Sequence, residues 1–251
     1  ISTTFGAVIL GGLFAALLCG VVIAQAVVYI KMYPKDPLKV KLLVTLVLSL
    51  DVIHTGFIWT AIWDWIVIHY GDTSSIDLIH WSVAFTIMFT AILTFCVHMF
   101  LAHRIWLLSH KNYLLTVVIL FLAFSRLISA TATTGGMLKY ARFSTFRAHG
   151  FAWIFTLGLA LSCVADILIT ASLFVLLHTS RSGQPHFNAV IDALILYAFE
   201  NGLLTCIGTV ASMICWILMG NNLIFMALHF GIGKLYANSL LATLNARRVI
   251  Q

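Results

Sequence analysis

LLVTLVLSLDVIHTGFIWTAIWDWIVI, residues 42–68, is the stretch that decides the fold. About 20 apolar residues cross the hydrocarbon core of a bilayer as a helix, and this stretch is longer than that. Yet it carries Asp51 and His54 near its centre. A charge at the centre of a span costs about 2.5–3.5 kcal/mol on insertion scales, so such a residue is usually paired, turned inward or functional. The stretch therefore reads as one membrane helix of a bundle, with its polar face turned toward neighbouring helices.

The rest of the chain has the same character. Of its 251 residues 62% are hydrophobic and 9% charged, with mean hydropathy +1.06, whereas a soluble domain is about a quarter charged. Apolar spans are predicted near 5–30, 42–68, 81–103, 113–132, 150–177, 188–219 and 222–245. The expected fold is all-α, a single seven-transmembrane-helix domain over residues 1–251. The first span is too long for the apolar core of a signal peptide and reads as a true span. The net charge of +6 is spread over short loops, so no nucleic acid partner is expected; the partner is the lipid bilayer. Five cysteines fall within apolar spans, which speaks against a loop disulfide or a zinc knuckle.

Lysine and arginine set the expected orientation. Lys31, Lys35, Lys39, Lys41, Arg104, Lys111, Arg181, Arg247 and Arg248 fall on one side of the seven spans, and Lys139, Arg142 and Arg147 on the other. This bias puts the N-terminus outside and the C-terminus in the cytosol, in the plasma membrane. Trp63, Trp65, Tyr70, Trp81 and Trp153 would line the outer interface, and Tyr33, Trp106 and Tyr113 the inner one. Gly6, Gly11, Gly12 and Gly20 suit close helix packing inside one bundle, with a homo-oligomer contact as the alternative.

At about 1.5 Å of rise per residue, Asp51, His54, Arg126, Asp166, Glu200 and Lys234 all fall near the bilayer midplane. Polar or small residues accompany them at helical spacing: Ser129 and Thr133 with Arg126, Ser162 and Thr170 with Asp166, Asn201 and Thr205 with Glu200, and Asn238 and Asn245 with Lys234. Such a layer binds a small-molecule ligand or ion, or consists of structural pairs such as Asp51–Lys234 and Asp166–Arg126. His54 is the candidate proton-linked element.

Metal and enzyme chemistry are not expected. His98, His54 and His229 are predicted at heights that differ by more than the ~2 Å ligand distance of a zinc site tolerates, and no hydrolase or phosphate-loop motif occurs. Lys234 invites comparison with retinal-binding proteins, but span three carries no acid, so no cofactor is expected.

The chain resembles an uncharacterised family of seven-transmembrane proteins abundant in mushroom-forming fungi. The resemblance runs through Tyr33-Pro34-Lys35-Asp36-Pro37, Leu50-Asp51 with His54, Arg104-Ile105-Trp106, Asp166-Ile167-Leu168, Gly202-Leu203-Leu204-Thr205 and, most specifically, Lys234-Leu235-Tyr236-Ala237-Asn238 through Arg247. Glu200 departs from the family pattern, where an uncharged residue is usual. The resemblance implies a fungal membrane protein and no established activity. The seven-span, N-outside arrangement also looks like a G-protein-coupled receptor, although His103 precedes Arg104, no proline follows Cys215-Trp216, and the last span lacks NPxxY. The expected function is a receptor-like or sensor protein whose ligand enters from outside and meets the midplane layer. The alternative is an oligomeric ion or proton channel or transporter using the same layer.

Overall fold

A computed structural model describes residues 2–72, 75, 77–179, 185–219 and 222–246. The side chains of Asp192, Glu200 and Asn201, and the residues Arg181, Arg247 and Arg248, lie outside the described set. The long helices are α1 (Ala7–Met32), α2 (Leu38–Trp63), α3 (Trp81–Leu108), α4 (Tyr113–Tyr140), α6 (Ala152–Thr179), α7 (Pro185–Leu218) and α8 (Ile224–Asn245), with a short α5 (Phe143–Ala148) between α4 and α6. Among the described residues there are no strands. Six of these helices are long and apolar enough to cross a membrane, and in α7 the stretch Gly202–Leu218 is a shorter apolar helix.

The predicted spans match these helices in place, but α3 and α4 run on past residues 103 and 132. A helix does not stop where the bilayer core does. Asn112 starts α4 by accepting a hydrogen bond from the Leu115 amide at 3.3 Å, and Ala141, in a left-handed conformation with φ of 52°, ends it.

Hydrocarbon offers no hydrogen-bond partners, so polar groups in the spans must be satisfied by the protein. Many hydroxyls bond back to the carbonyl four residues earlier, including Thr45 to Lys41, Thr94 to Thr90, Thr133 to Ser129 and Ser172 to Leu168. These hydroxyls are locally used.

Contacts between helices define a ring in chain order, closed by α8 against α1. The Asn238 amide donates to the Leu18 carbonyl at 3.3 Å and the Asn245 amide to the Gln25 carbonyl at 2.9 Å, so α1 and α8 run parallel and in register. α4 runs antiparallel to α6, joined by Arg126 to Gly158 and Ser129 to Ile154. The inner helices are α8 and α3: 67% and 56% of their most apolar stretches are buried, against 28–33% for the four other candidate spans. Leu10, Leu17, Phe121 and Ile128 are among the side chains left facing outward.

One end of the bundle, where α1, α3, α6 and α8 begin, is covered by α5 and its flanking turns. Asp77 holds the lid down, accepting from the Ser144 amide at 2.8 Å and hydroxyl at 2.6 Å. Leu78 and Arg142 pair through an isolated antiparallel bridge. Phe146 is fully buried beside Phe151 and Trp216. Arg147 donates to the Trp216 carbonyl at 3.1 Å and lies 3.9 Å from the Trp216 ring centre. Burial lowers the Arg147 pKa from its ordinary value, yet a guanidinium stays charged. Trp63, Tyr70, Trp81 and Trp153 are exposed at this end as expected. Trp65 is not: it is buried, and its indole N–H reaches the Leu78 carbonyl at 3.3 Å.

Only two of the four glycines of the first span are close contacts. A Cβ on Gly11 would lie 2.6 Å from Ala227 Cα of α8, and one on Gly12 would strike Ile62 of α2, while Gly6 and Gly20 meet nothing within 4 Å. These contacts lie within one bundle. Gly11→Leu is expected to lower stability by about 1–3 kcal/mol through overpacking, whereas Gly20→Ala leaves the thermal midpoint of the purified protein unchanged or slightly raised. Equal midpoints for the two variants would contradict the α1–α8 contact.

Candidate functional site

Two buried ionic centres share α8. In the first, Lys234 Nζ lies 2.9 Å from Asp51 Oδ1, and both side chains are fully buried. The ammonium also donates to the Asp51 carbonyl at 2.7 Å and to Thr55 Oγ1 at 2.6 Å. Two of the three ammonium donors thus have hydrogen-bond acceptors, while the Asp51 carboxylate is held as an ion pair and its two buried oxygens accept no hydrogen bond among the described residues. The Thr55 hydroxyl donates in turn to the Asp51 carbonyl at 2.9 Å. Thr55 follows Asp51 by one helical turn, so α2 presents carboxylate, carbonyl and hydroxyl together to α8.

In the second centre Asp166 of α6 is shared by two donors. Its Oδ1 lies 3.0 Å from His98 Nε2 of α3, and its Oδ2 accepts from the Tyr236 hydroxyl of α8 at 2.5 Å. The Ser162 hydroxyl lies 2.9 Å from the Tyr236 oxygen, and the Tyr236 ring meets the His98 ring edge-on at 5.6 Å. Asp166 and Tyr236 also line a cavity of about 40 Å³, together with Arg104, Thr170, Ser239 and Thr243. By volume it holds about three waters. These residues lead from the bundle centre toward the end where α3, α6 and α8 finish, which is the end opposite the lid.

The predicted layer is thus only partly one chamber. Asp51 and Lys234 pair as expected. Arg126 and Asp166 do not pair: Arg126 Nη1 instead donates to the Gly158 carbonyl at 2.9 Å, because Gly158 has no side chain to keep α4 off the α6 backbone. His54 Nε2 lies 3.2 Å from Thr90 Oγ1. Asn238 spends its amide on the Leu18 and Lys234 carbonyls, tying α8 to α1. Glu200 sits on α7, and its side chain lies outside the described residues.

His98 was discounted on height, yet it is fully buried and bonded to Asp166. Tyr236 and Thr55 were also missed. A signal for His98 was present: Thr86, Thr90, Thr94 and His98 repeat every four residues and share one buried face of α3. That stripe carries no formal charge, so a count of charged residues does not report it. Among the described residues no group of three or more His, Cys, Asp or Glu could hold a metal ion.

Removing one member of a buried pair strands the other charge, at a cost of about 3–5 kcal/mol. Lys234→Met alone is expected to lose that much stability, and the double change Asp51→Asn, Lys234→Met to recover most of it. Additive losses in a thermal-stability cycle would contradict a direct pair.

A family of unknown function (DUF6534) matches residues 162–249. That stretch holds Ser162, Asp166, Lys234, Tyr236 and Asn238, while Asp51, His98 and Arg126 precede it. Neither a curated protein nor a solved structure matches the chain.

Proposed function

We propose that the chain is a seven-span membrane protein, N-terminus outside and C-terminus in the cytosol, that acts as a receptor-like sensor through its Asp166 centre. A proton or small polar ligand reaching Asp166 competes with His98 and Tyr236 for the carboxylate and loosens α8 from α3 and α6. The observation that carries this is the placement of Asp166. Among the described residues of the predicted layer, it is the acid that both holds two helices and lines a water-sized cavity.

The lysine and arginine bias makes the cavity end cytosolic. On this reading the ligand reaches Asp166 from the cytosolic side, and α5 covers the outer end. The seventh span is α7, whose 34 residues exceed the length a crossing needs. Lys234 and Tyr236 are two residues apart on α8, so a shift at one centre strains the other. Such a linkage would let a ligand at one centre bias the position of the whole helix.

Conduction is the less supported use of the layer. A path to the outer face has to pass Phe155, Trp216 and Phe225, which pack ring to ring beneath the lid. The hydroxyls of Ser129, Thr133 and Ser212 donate to backbone carbonyls.

Hydrogen exchange on the purified protein in lipid tests the proposal. Relative to the intrinsic exchange rate at each pH, acidification is expected to lower amide protection in the last two turns of α8 severalfold in the wild type, and not in Asp166→Asn. Unchanged wild-type protection factors contradict a proton-driven switch. Proton or cation flux into liposomes that is abolished by Asp166→Asn would favour a channel or transporter instead.

A further inference from the structure

Arg126 is a buried cation without a carboxylate in ion-pair contact among the described residues. It is 5% exposed. Nη1 donates to the Gly158 carbonyl, but Nε has no hydrogen-bond partner. Asp166 is near enough to interact electrostatically, yet its two oxygens are held by His98 and Tyr236. Facing the same space is His229 of α8, 1% exposed, with both ring nitrogens unpartnered. The two side chains line a pocket of about 10 Å³, walled by Ile87, Ala130, Phe155 and Leu159. That volume fits one water-sized species.

We infer that this pocket is a binding site for a single halide ion, held by Arg126 and His229. Three features select that chemistry. A guanidinium keeps its charge even when buried, and among the described residues Arg126 has no carboxylate in contact, so the more distant Asp166 offsets only part of the cost of burying it. An anion removes that cost, whereas a water molecule satisfies donors but neutralises nothing. Donors are available: Arg126 Nε–H and one His229 N–H have no hydrogen-bond partner, and both residues line the pocket. The neighbouring hydroxyls of Ser129 and Thr133 donate to the carbonyls of Ile154 and Ser129, so they add no donor. A pocket of about 10 Å³ is far too small for sulfate, phosphate or an organic carboxylate, while a halide, somewhat larger than water, enters with a small outward shift of the lining side chains; the guanidinium excludes a metal cation.

The bound ion would join α4, α6 and α8 directly beneath the aromatic layer, since Phe155 packs against His229 with ring centres 5.7 Å apart. The site is separate from the Asp166 cavity and stands whether or not Asp166 senses anything.

The test is thermal unfolding of the full chain in detergent, with chloride or bromide titrated against gluconate at constant ionic strength. A ligand that binds only the folded form raises the midpoint as its concentration grows. The wild type is expected to show a midpoint rising with the logarithm of either halide, and bromide is expected to leave one anomalous-scattering peak beside Arg126 in a crystal. Arg126→Gln removes both effects. Ala130→Leu, which fills the pocket and keeps the charge, removes them too and guards against a simple folding defect in the arginine variant. The exposed Arg142→Gln leaves them intact. A wild-type midpoint indifferent to chloride and bromide overturns the proposal, as does an unchanged halide response in Ala130→Leu.

Discussion

The Lys234–Asp51 ion pair is the constraint on which the rest of the bundle depends. Each charge costs about 2.5–3.5 kcal/mol to place at the centre of a span on insertion scales. That cost is tolerable only if the two find each other. They do: Lys234 Nζ lies 2.9 Å from Asp51 Oδ1 as an ion pair and donates to the Asp51 carbonyl and Thr55 Oγ1, so the opposite charge compensates carboxylate oxygens that accept no hydrogen bond among the described residues. A slip of α8 by one residue would swing Lys234 about 100° around the helix, away from α2. The pair therefore fixes the rotation and height of α8, and through Asn238 and Asn245 the register of α1. Buried ion pairs are weak sources of stability, and here the geometric consequence of the pair is the rotation and height of α8.

Fixing α8 also fixes the second centre. Tyr236 can reach Asp166 only in the rotation that Lys234 imposes. α3 and α6 then gather round Tyr236 through His98 and Asp166. The strong polar interactions of the interior thus converge on the most buried helix, while the peripheral helices present leucine, isoleucine and phenylalanine outward. The lid makes the two ends unequal: aromatic rings under α5 fill one, and a small cavity leads toward the other.

Much of this was legible in the sequence. Span positions follow from apolar length, and the Asp51–Lys234 pair follows from equal depth and opposite sign. The partner of Arg126 was not legible, because the Gly158 carbonyl becomes an acceptor only once α4 and α6 pack closely. The partners of Asp166 were hidden for a different reason: His98 and Tyr236 are uncharged in a charge count, and their role appears only when the four-residue stripe of α3 is weighed. Trp65 resembles any interfacial tryptophan until the turn after α2 folds over it. The lid depends on Asp77 reaching Ser144 across 67 residues, and no local pattern reports that.

The most direct measurement is an experimental map of the protein in a lipid nanodisc at side-chain resolution. The account requires Lys234 Nζ within hydrogen-bond distance of both Asp51 and Thr55, with the Asp166 carboxylate held between His98 and Tyr236. A Lys234 or Asp51 side chain turned toward lipid, or an Asp166 paired with Arg126 in place of His98 and Tyr236, would contradict it.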